Sequence, residues 1–285
     1  MKQNGMMKEL NDFGFKGAFY SAADNEKAMI VVTGSDGGNK WARQIAAAYA
    51  QHGVPALAVT YWKTRDTSQT LSLIPLETIQ AAIAWLKENG YSRVGIYGVS
   101  KGAELALTAA SLLPQIELVI AVSPSCCVFE GIARKRYSGA SSWTWQGKPL
   151  PYVSFDGMSV NVLKNVLKNH EFGFLEQYQR VLAVKMNEEN TIKVEHINGA
   201  ILLISAKNDA QWPSASMGNR IIDRLEEKAF SRPFCHEVFH PASHILCPVK
   251  TMFRFAYRAE RNHPKECQTA RDAAWNLALA WTARL

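Results

Sequence analysis

The stretch Arg93-Val94-Gly95-Ile96-Tyr97-Gly98-Val99-Ser100-Lys101-Gly102-Ala103-Glu104-Leu105 decides how the rest of the chain is read. Val94, Ile96 and Tyr97 form a short β-prone run, Gly98 to Gly102 make a tight turn, and a helix of small residues follows. This is the G-x-S-x-G pattern in the strand–turn–helix setting that a nucleophile elbow requires. Ser100 at the apex must take a strained backbone conformation, and Gly98 and Gly102 remove side chains that would collide there. The helix start behind Ser100 offers unpaired N–H groups and a partial positive charge to a developing oxyanion. The five-residue pattern alone also occurs in surface turns; the flanking strand and helix favour the nucleophile reading.

Outward from the elbow, strands are expected at 15–20, 28–33, 55–61, 117–122, 200–205 and 235–239, several of them continuous apolar runs of the kind buried on both faces. Helices are expected from about 40 to 52, from Pro75 with Ile79, Ile83 and Leu86 on one stripe and Gly90 as the stop, at 105–113 before Pro114, at 214–227, and within 269–285. Strands alternating with helices at this spacing predict βαβ units and an α/β fold with a mostly parallel central sheet flanked by helices. The 285 residues read as a single domain, 1–285, with an insertion over about 125–199 after the strand that follows the elbow helix. That insertion has one expected helix around 159–169 and reads either as a cap or lid over the site or as a connecting excursion. Its aromatics Trp143, Trp145 and Phe155, with Phe172, either line a pocket or serve the segment's own packing.

Composition narrows the class. Hydrophobic content of 47% with 20% charge describes a globular chain with a sizeable core. No run of about 18 apolar residues predicts a transmembrane helix, and no apolar h-region marks a secretory signal. Five cysteines, an odd count without framework spacing, suit a reducing compartment and a cytoplasmic location. The net charge of +7 is spread thinly, Arg134-Lys135-Arg136 being the only dense cluster. A mildly basic surface explains it, attraction of a phosphate-bearing ligand is the sharper alternative, and nucleic-acid binding is not expected without a basic stripe or module.

A serine needs a base, and the base an orienting carboxylate. Asp209, just past the strand at 200–205, lies at the sheet edge where Ser100 should emerge, although turn or helix-start aspartates occupy such places too. His244, in His240-Pro241-Ala242-Ser243-His244, follows the next strand and is the best base; His240 is its competitor. The order Ser, Asp, His is that of α/β-hydrolases. Oxyanion donors are expected from the Lys101 N–H and from the backbone of Ser35 or Asp36, in the glycine-rich loop after an early strand. That loop fails as a phosphate-binding P-loop, because Asn39 stands at the second glycine position and Trp41 follows Lys40. Cys235, His236, His240, His244 and Cys247 include zinc-ligand types. Pro241 keeps the two nearer histidines from sharing a helix face, and no metal is expected.

These residues resemble the catalytic domain of the acyl-CoA thioesterase and bile acid-CoA:amino acid N-acyltransferase family. The resemblance is carried by Gly98 to Glu104, by Val194-Glu195-His196-Ile197-Asn198-Gly199-Ala200-Ile201-Leu202-Leu203-Ile204-Ser205-Ala206-Lys207-Asn208-Asp209-Ala210-Gln211-Trp212-Pro213-Ser214, and by Pro241 to His244. The Asp-x-x-Trp-Pro-Ser portion is its most specific part. Three departures stand out: there is no room for the N-terminal β-sandwich of the long members, Pro-Ala-Ser-His replaces Gly-Ala-Gly-His, and Asn208 stands where an acidic residue is usual. The resemblance implies an α/β-hydrolase fold and hydrolysis of acyl-CoA thioesters through an acyl-serine, with coenzyme A as part of the substrate and no retained cofactor. Amidating members use cysteine, so Ser100 disfavours acyl transfer. A carboxylic ester or peptide substrate, or a catalytically silent binding module, are the alternatives. The Lys101 side chain is expected in solvent, a substrate phosphate being its other possible partner.

Overall fold

The computed structural model describes residues 6–24, 26–34, 36–133, 136–156, 166–167 and 170–285. Among them the main sheet contains β1 (Met7–Leu10), β2 (Lys16–Tyr20), β3 (Lys27–Val32), β4 (Ala56–Thr60), β6 (Arg93–Val99), β7 (Ile116–Val122), β12 (Ala200–Ala206) and β13 (Phe234–Phe239), in the order β1-β2-β4-β3-β6-β7-β12-β13. From β4 to β13 every neighbouring pair is parallel, and β1 and β2 add an antiparallel edge. The helices are α1 (Lys40–Gln51), α2 (Glu77–Glu88), α3 (Lys101–Leu112), α4 (Leu175–Lys185), α5 (Ser214–Glu227), α6 (Arg258–Asn262) and α7 (Pro264–Thr282).

The apolar runs are continuous because both sheet faces are covered. Along β3, Ala28, Ile30 and Val32 enter the core beneath α2, α3 and α5, while Met29 and Val31 point to the opposite core under α1 and α7. Trp275 of α7 seals that second core, its ring 4.7 Å from Tyr49 of α1 and 6.1 Å from Tyr97 of β6. This is the α/β-hydrolase architecture, and it aims the carboxyl ends of β6, β12 and β13 to one side of the sheet.

Three boundaries differ from expectation. Pro75 belongs to the two-residue strand β5 (Ile74–Pro75), which pairs with β10 (Trp143–Trp145), so α2 begins at Glu77. Helix α7 begins at Pro264, where proline suits a first turn. Strand β1 was not expected, since three of its four residues are exposed and it carries no apolar alternation.

The expected helix at 159–169 lies mostly outside the described residues; residues 166–167 are helical. Elsewhere the 125–199 segment builds β8 (Glu130–Ala133), β9 (Arg136–Ser141), β10, β11 (Lys148–Pro149) and α4. Cys127, Phe129, Trp143, Val153 and Phe155 of this segment are fully buried in the first core. Trp143 and Phe155 therefore pack inside the molecule; Phe155 stacks on Tyr137 with ring centres 3.8 Å apart.

Candidate active site

Ser100 sits between β6 and α3 at φ +59°, ψ −126°, a conformation that non-glycine residues rarely adopt. What holds it is close packing of backbone. A Cβ on Gly98 would lie 2.3 Å from the Gly102 carbonyl oxygen, and one on Gly102 would lie 2.5 Å from that of Val32. The Ser100 N–H donates to the Val122 carbonyl at 2.9 Å, tying the elbow to β7.

The structure brings Ser100, His244 and Asp209 into one hydrogen-bonded line. His244 Nε2 lies 2.8 Å from Ser100 Oγ, and its Nδ1 lies 2.9 and 3.0 Å from the two oxygens of Asp209. Asp209 and His244 are both buried. The carboxylate is oriented in turn: Oδ2 accepts from the Ser214 hydroxyl at 2.6 Å, and Oδ1 from the Gln211 N–H at 2.9 Å. Ser214 and Trp212, whose ring stands edge-on to His244 at 6.0 Å, give the Asp-x-x-Trp-Pro-Ser sequence a physical meaning. It is a turn that folds back to hold its own aspartate. His240 is not in this line; its Nδ1 lies 2.6 Å from Asn208 Oδ1 near the surface.

The loop bearing His244 is moored from two directions. The Ser123 hydroxyl, just beyond β7, donates to the His244 carbonyl at 3.0 Å. The Ser243 hydroxyl donates to Glu260 of α6 at 2.6 Å, and Glu260 pairs with Arg271 of α7 at 2.5 Å, all buried. Serine at position 243, a departure from the family pattern, thus has a partner that glycine would lack.

Of the expected oxyanion donors, Lys101 heads α3, where its N–H has no intrahelical acceptor. Ser35 lies outside the described residues. The Asp36 carboxylate turns inward, accepting from the Thr33 hydroxyl at 2.6 Å and the Trp41 N–H at 3.1 Å. Between loop and elbow lies Gly34, where a Cβ would sit 3.0 Å from Lys101 N and 3.2 Å from Ser100 Cβ. A side chain there would crowd the donor. The Gly34 carbonyl accepts from Trp62 Nε1 at 3.2 Å and from the Gly37 N–H at 3.1 Å, so the loop is braced before any ligand arrives.

The side chain of Lys101 corrects the sequence reading. It is 4% exposed and turned inward, with Nζ donating to Glu104 at 2.6 Å and lying 5.5 Å over the Trp143 ring. Glu104 is fully buried, and the same oxygen accepts from the Phe129 N–H at 3.1 Å and Trp143 Nε1 at 2.9 Å, while its other oxygen has no partner. Burial raises the Glu104 carboxyl above its ordinary pKa and lowers the Lys101 ammonium, the pairing opposing both shifts. The expectation of solvent followed from the cation's poor place at a helix start; a buried carboxylate one turn on outweighs that effect.

The family described as BAAT / Acyl-CoA thioester hydrolase C terminal matches residues 74–259. The chain belongs to this family. Relatives include acyl-coenzyme A thioesterase 1 of Homo sapiens, 25% identical over 66% of this chain and 42% of the relative. Acyl-coenzyme A thioesterase 2, mitochondrial, of Mus musculus is 22% identical over 66% and 38%. Acyl-coenzyme A amino acid N-acyltransferase 1 of Mus musculus is 25% identical over 74% and 47%. The chain thus spans less than half the length of these relatives. Among solved structures, carboxyl esterase 2 from Tuber melanosporum superposes with a TM-score of 0.57 over 98% of this chain and 87% of the other, at 13% identity. A Pyrococcus furiosus esterase gives 0.56 over 97% and 92%, at 14%. These two establish the α/β-hydrolase fold. Family and solved structures together place the chain in the α/β-hydrolase fold.

Proposed function

We propose that this protein hydrolyses acyl-CoA thioesters to the free acid and coenzyme A, with Ser100 as nucleophile, His244 as general base and Asp209 as its orienting carboxylate. The hydrogen-bonded line from Ser100 Oγ through His244 to Asp209 carries the reading, and family membership supports the substrate class. His244 Nε2 takes the hydroxyl proton as Oγ bonds to the thioester carbonyl carbon. The carbonyl oxygen becomes an oxyanion, held by the Lys101 N–H and the 35–36 backbone. The C–S bond then breaks, and His244 returns the proton to the departing thiolate. Water, deprotonated by the same ring, attacks the acyl-serine, and collapse of that second oxyanion, with His244 handing the proton to Ser100 Oγ, releases the acid and restores Ser100. Coenzyme A enters and leaves as part of the substrate, and the steps draw only on side chains and backbone of this chain.

The test is thiol release from acyl-CoAs of graded chain length, beside p-nitrophenyl esters of the same acyl groups. Acyl-CoA turnover is expected to exceed ester turnover and to fall by about 10⁴-fold or more in Ser100→Ala. Ester turnover alone would move the protein to the carboxylesterases. An unchanged rate, or unchanged fluorophosphonate labelling, in Ser100→Ala would overturn the nucleophile.

A further inference from the structure

Before α6 the chain makes a short 3₁₀ helix, Met252–Ala256, capped by the Thr251 hydroxyl, which accepts from the Phe253 N–H at 3.2 Å. Met252, Phe253 and Phe255 are 78%, 42% and 37% exposed, so three large apolar side chains in four positions face outward. The knob is firmly seated: the Phe253 ring lies 4.9 Å from Phe172 and 5.8 Å from Tyr257, and Tyr257 lies 6.3 Å from the His244 ring. One ring, that of Tyr257, separates it from the candidate base.

Its surroundings are cationic. Between positions 250 and 265 the sequence places Lys250, Arg254, Arg258, Arg261 and Lys265 against one carboxylate, Glu260, which is buried on Arg271. Lys250, Arg258, Arg261 and Lys265 are exposed, and the Arg254 guanidinium lies 4.9 Å over the Phe255 ring. Glu171 and Glu266 border the neighbouring cleft, so the cations keep a surplus of three. Contiguous exposed apolar side chains mark an interaction surface. An apolar tip flanked along the chain by lysine and arginine, with Arg254 on the Phe255 ring and Arg261 on the Phe255 carbonyl, matches a bilayer whose surface is anionic and whose interior is hydrocarbon. A soluble protein partner would have to supply both a pocket for the tip and carboxylates around it.

We propose that the Met252–Phe255 knob and its cations dock this protein on an anionic lipid surface, the apolar tip entering the headgroup layer and the cations meeting lipid phosphates. Docking brings the neighbourhood of His244 close to the interface, with no helix among the described residues able to span it. Such attachment is reversible and weakened by salt.

The experiment is vesicle flotation of the full chain, with phosphatidylcholine alone and with about one third phosphatidylglycerol. Binding to the anionic vesicles is expected to be at least about tenfold tighter than to phosphatidylcholine, and to weaken as salt is raised. Met252→Ser/Phe255→Ser should lower it about tenfold with an unchanged thermal melt, which separates lost docking from lost folding. Absence of flotation with anionic vesicles, equal binding to both kinds, or undiminished binding of the folded double variant would each overturn the proposal.

Discussion

Both carboxylate oxygens of Asp209 lie within hydrogen-bond reach of His244 Nδ1, while Ser214 and the Gln211 N–H fix the carboxylate itself. Asp209→Asn should therefore preserve the fold and still lower kcat by about 10⁴-fold, measured beside a thermal melt. The Lys101–Glu104 pair is a different kind of site, because its strength is conditional. Removing one partner leaves a buried charge alone, so Lys101→Met and Glu104→Gln should each cost about 3–5 kcal/mol in chemical denaturation. The double variant removes both charges and keeps an acceptor for Phe129 and Trp143, and it should be more stable than either single variant, an interaction that a double-mutant cycle reads directly. Glu104 also shows where a sequence stops speaking. Ser100, Asp209 and His244 could be picked out because each follows a recognisable strand and chain order ranks them. The partners of Glu104 come from 25 and 39 residues further on, in a segment without helical or strand periodicity, so nothing local announces them.

At the scale of elements, His236 of β13 joins the edge of the sheet to α5. Its ring nitrogens lie 2.8 Å from Ser205 Oγ and 3.1 Å from Asn219 Oδ1. Gly218 leaves it room, since a Cβ there would lie 2.4 Å from the ring. Burial lowers the His236 pKa from 6.5 to about 4. The unfolded chain therefore takes up the proton first, and stability present above about pH 6.5 should be lost as pH falls towards 4. Urea midpoints across that window should fall in the wild type and fall less in His236→Gln. The parallel strands and α1, α2, α3 and α5 are legible in the sequence because their apolar runs are long and punctuated by glycine and proline. The two- and three-residue strands β5, β10 and β11 are not, being too short to show a period and existing only because distant segments meet. The start of helix α7 is not legible, because its first turn, Pro264-Lys265-Glu266, is polar and exposed, and only the later turns carry the apolar stripe.

Across the whole molecule the final helix closes what the first half opens. Trp275 joins Tyr49 and Tyr97 in the core on the face away from α3, linking it to residues 226 and 178 positions earlier in the chain. Trp275→Ala should cost about 3–5 kcal/mol in denaturant unfolding. The same geometry gives the candidate base an unusual foundation. β13 is an edge strand, and edge strands are the first to exchange their amide hydrogens as a protein breathes. His244 follows that strand in the chain but is held by Ser123 at the interior of the sheet and, through Ser243 and Glu260, by Arg271. The margin of the sheet can fray and reclose while the imidazole keeps its place, so wear at the periphery need not interrupt turnover.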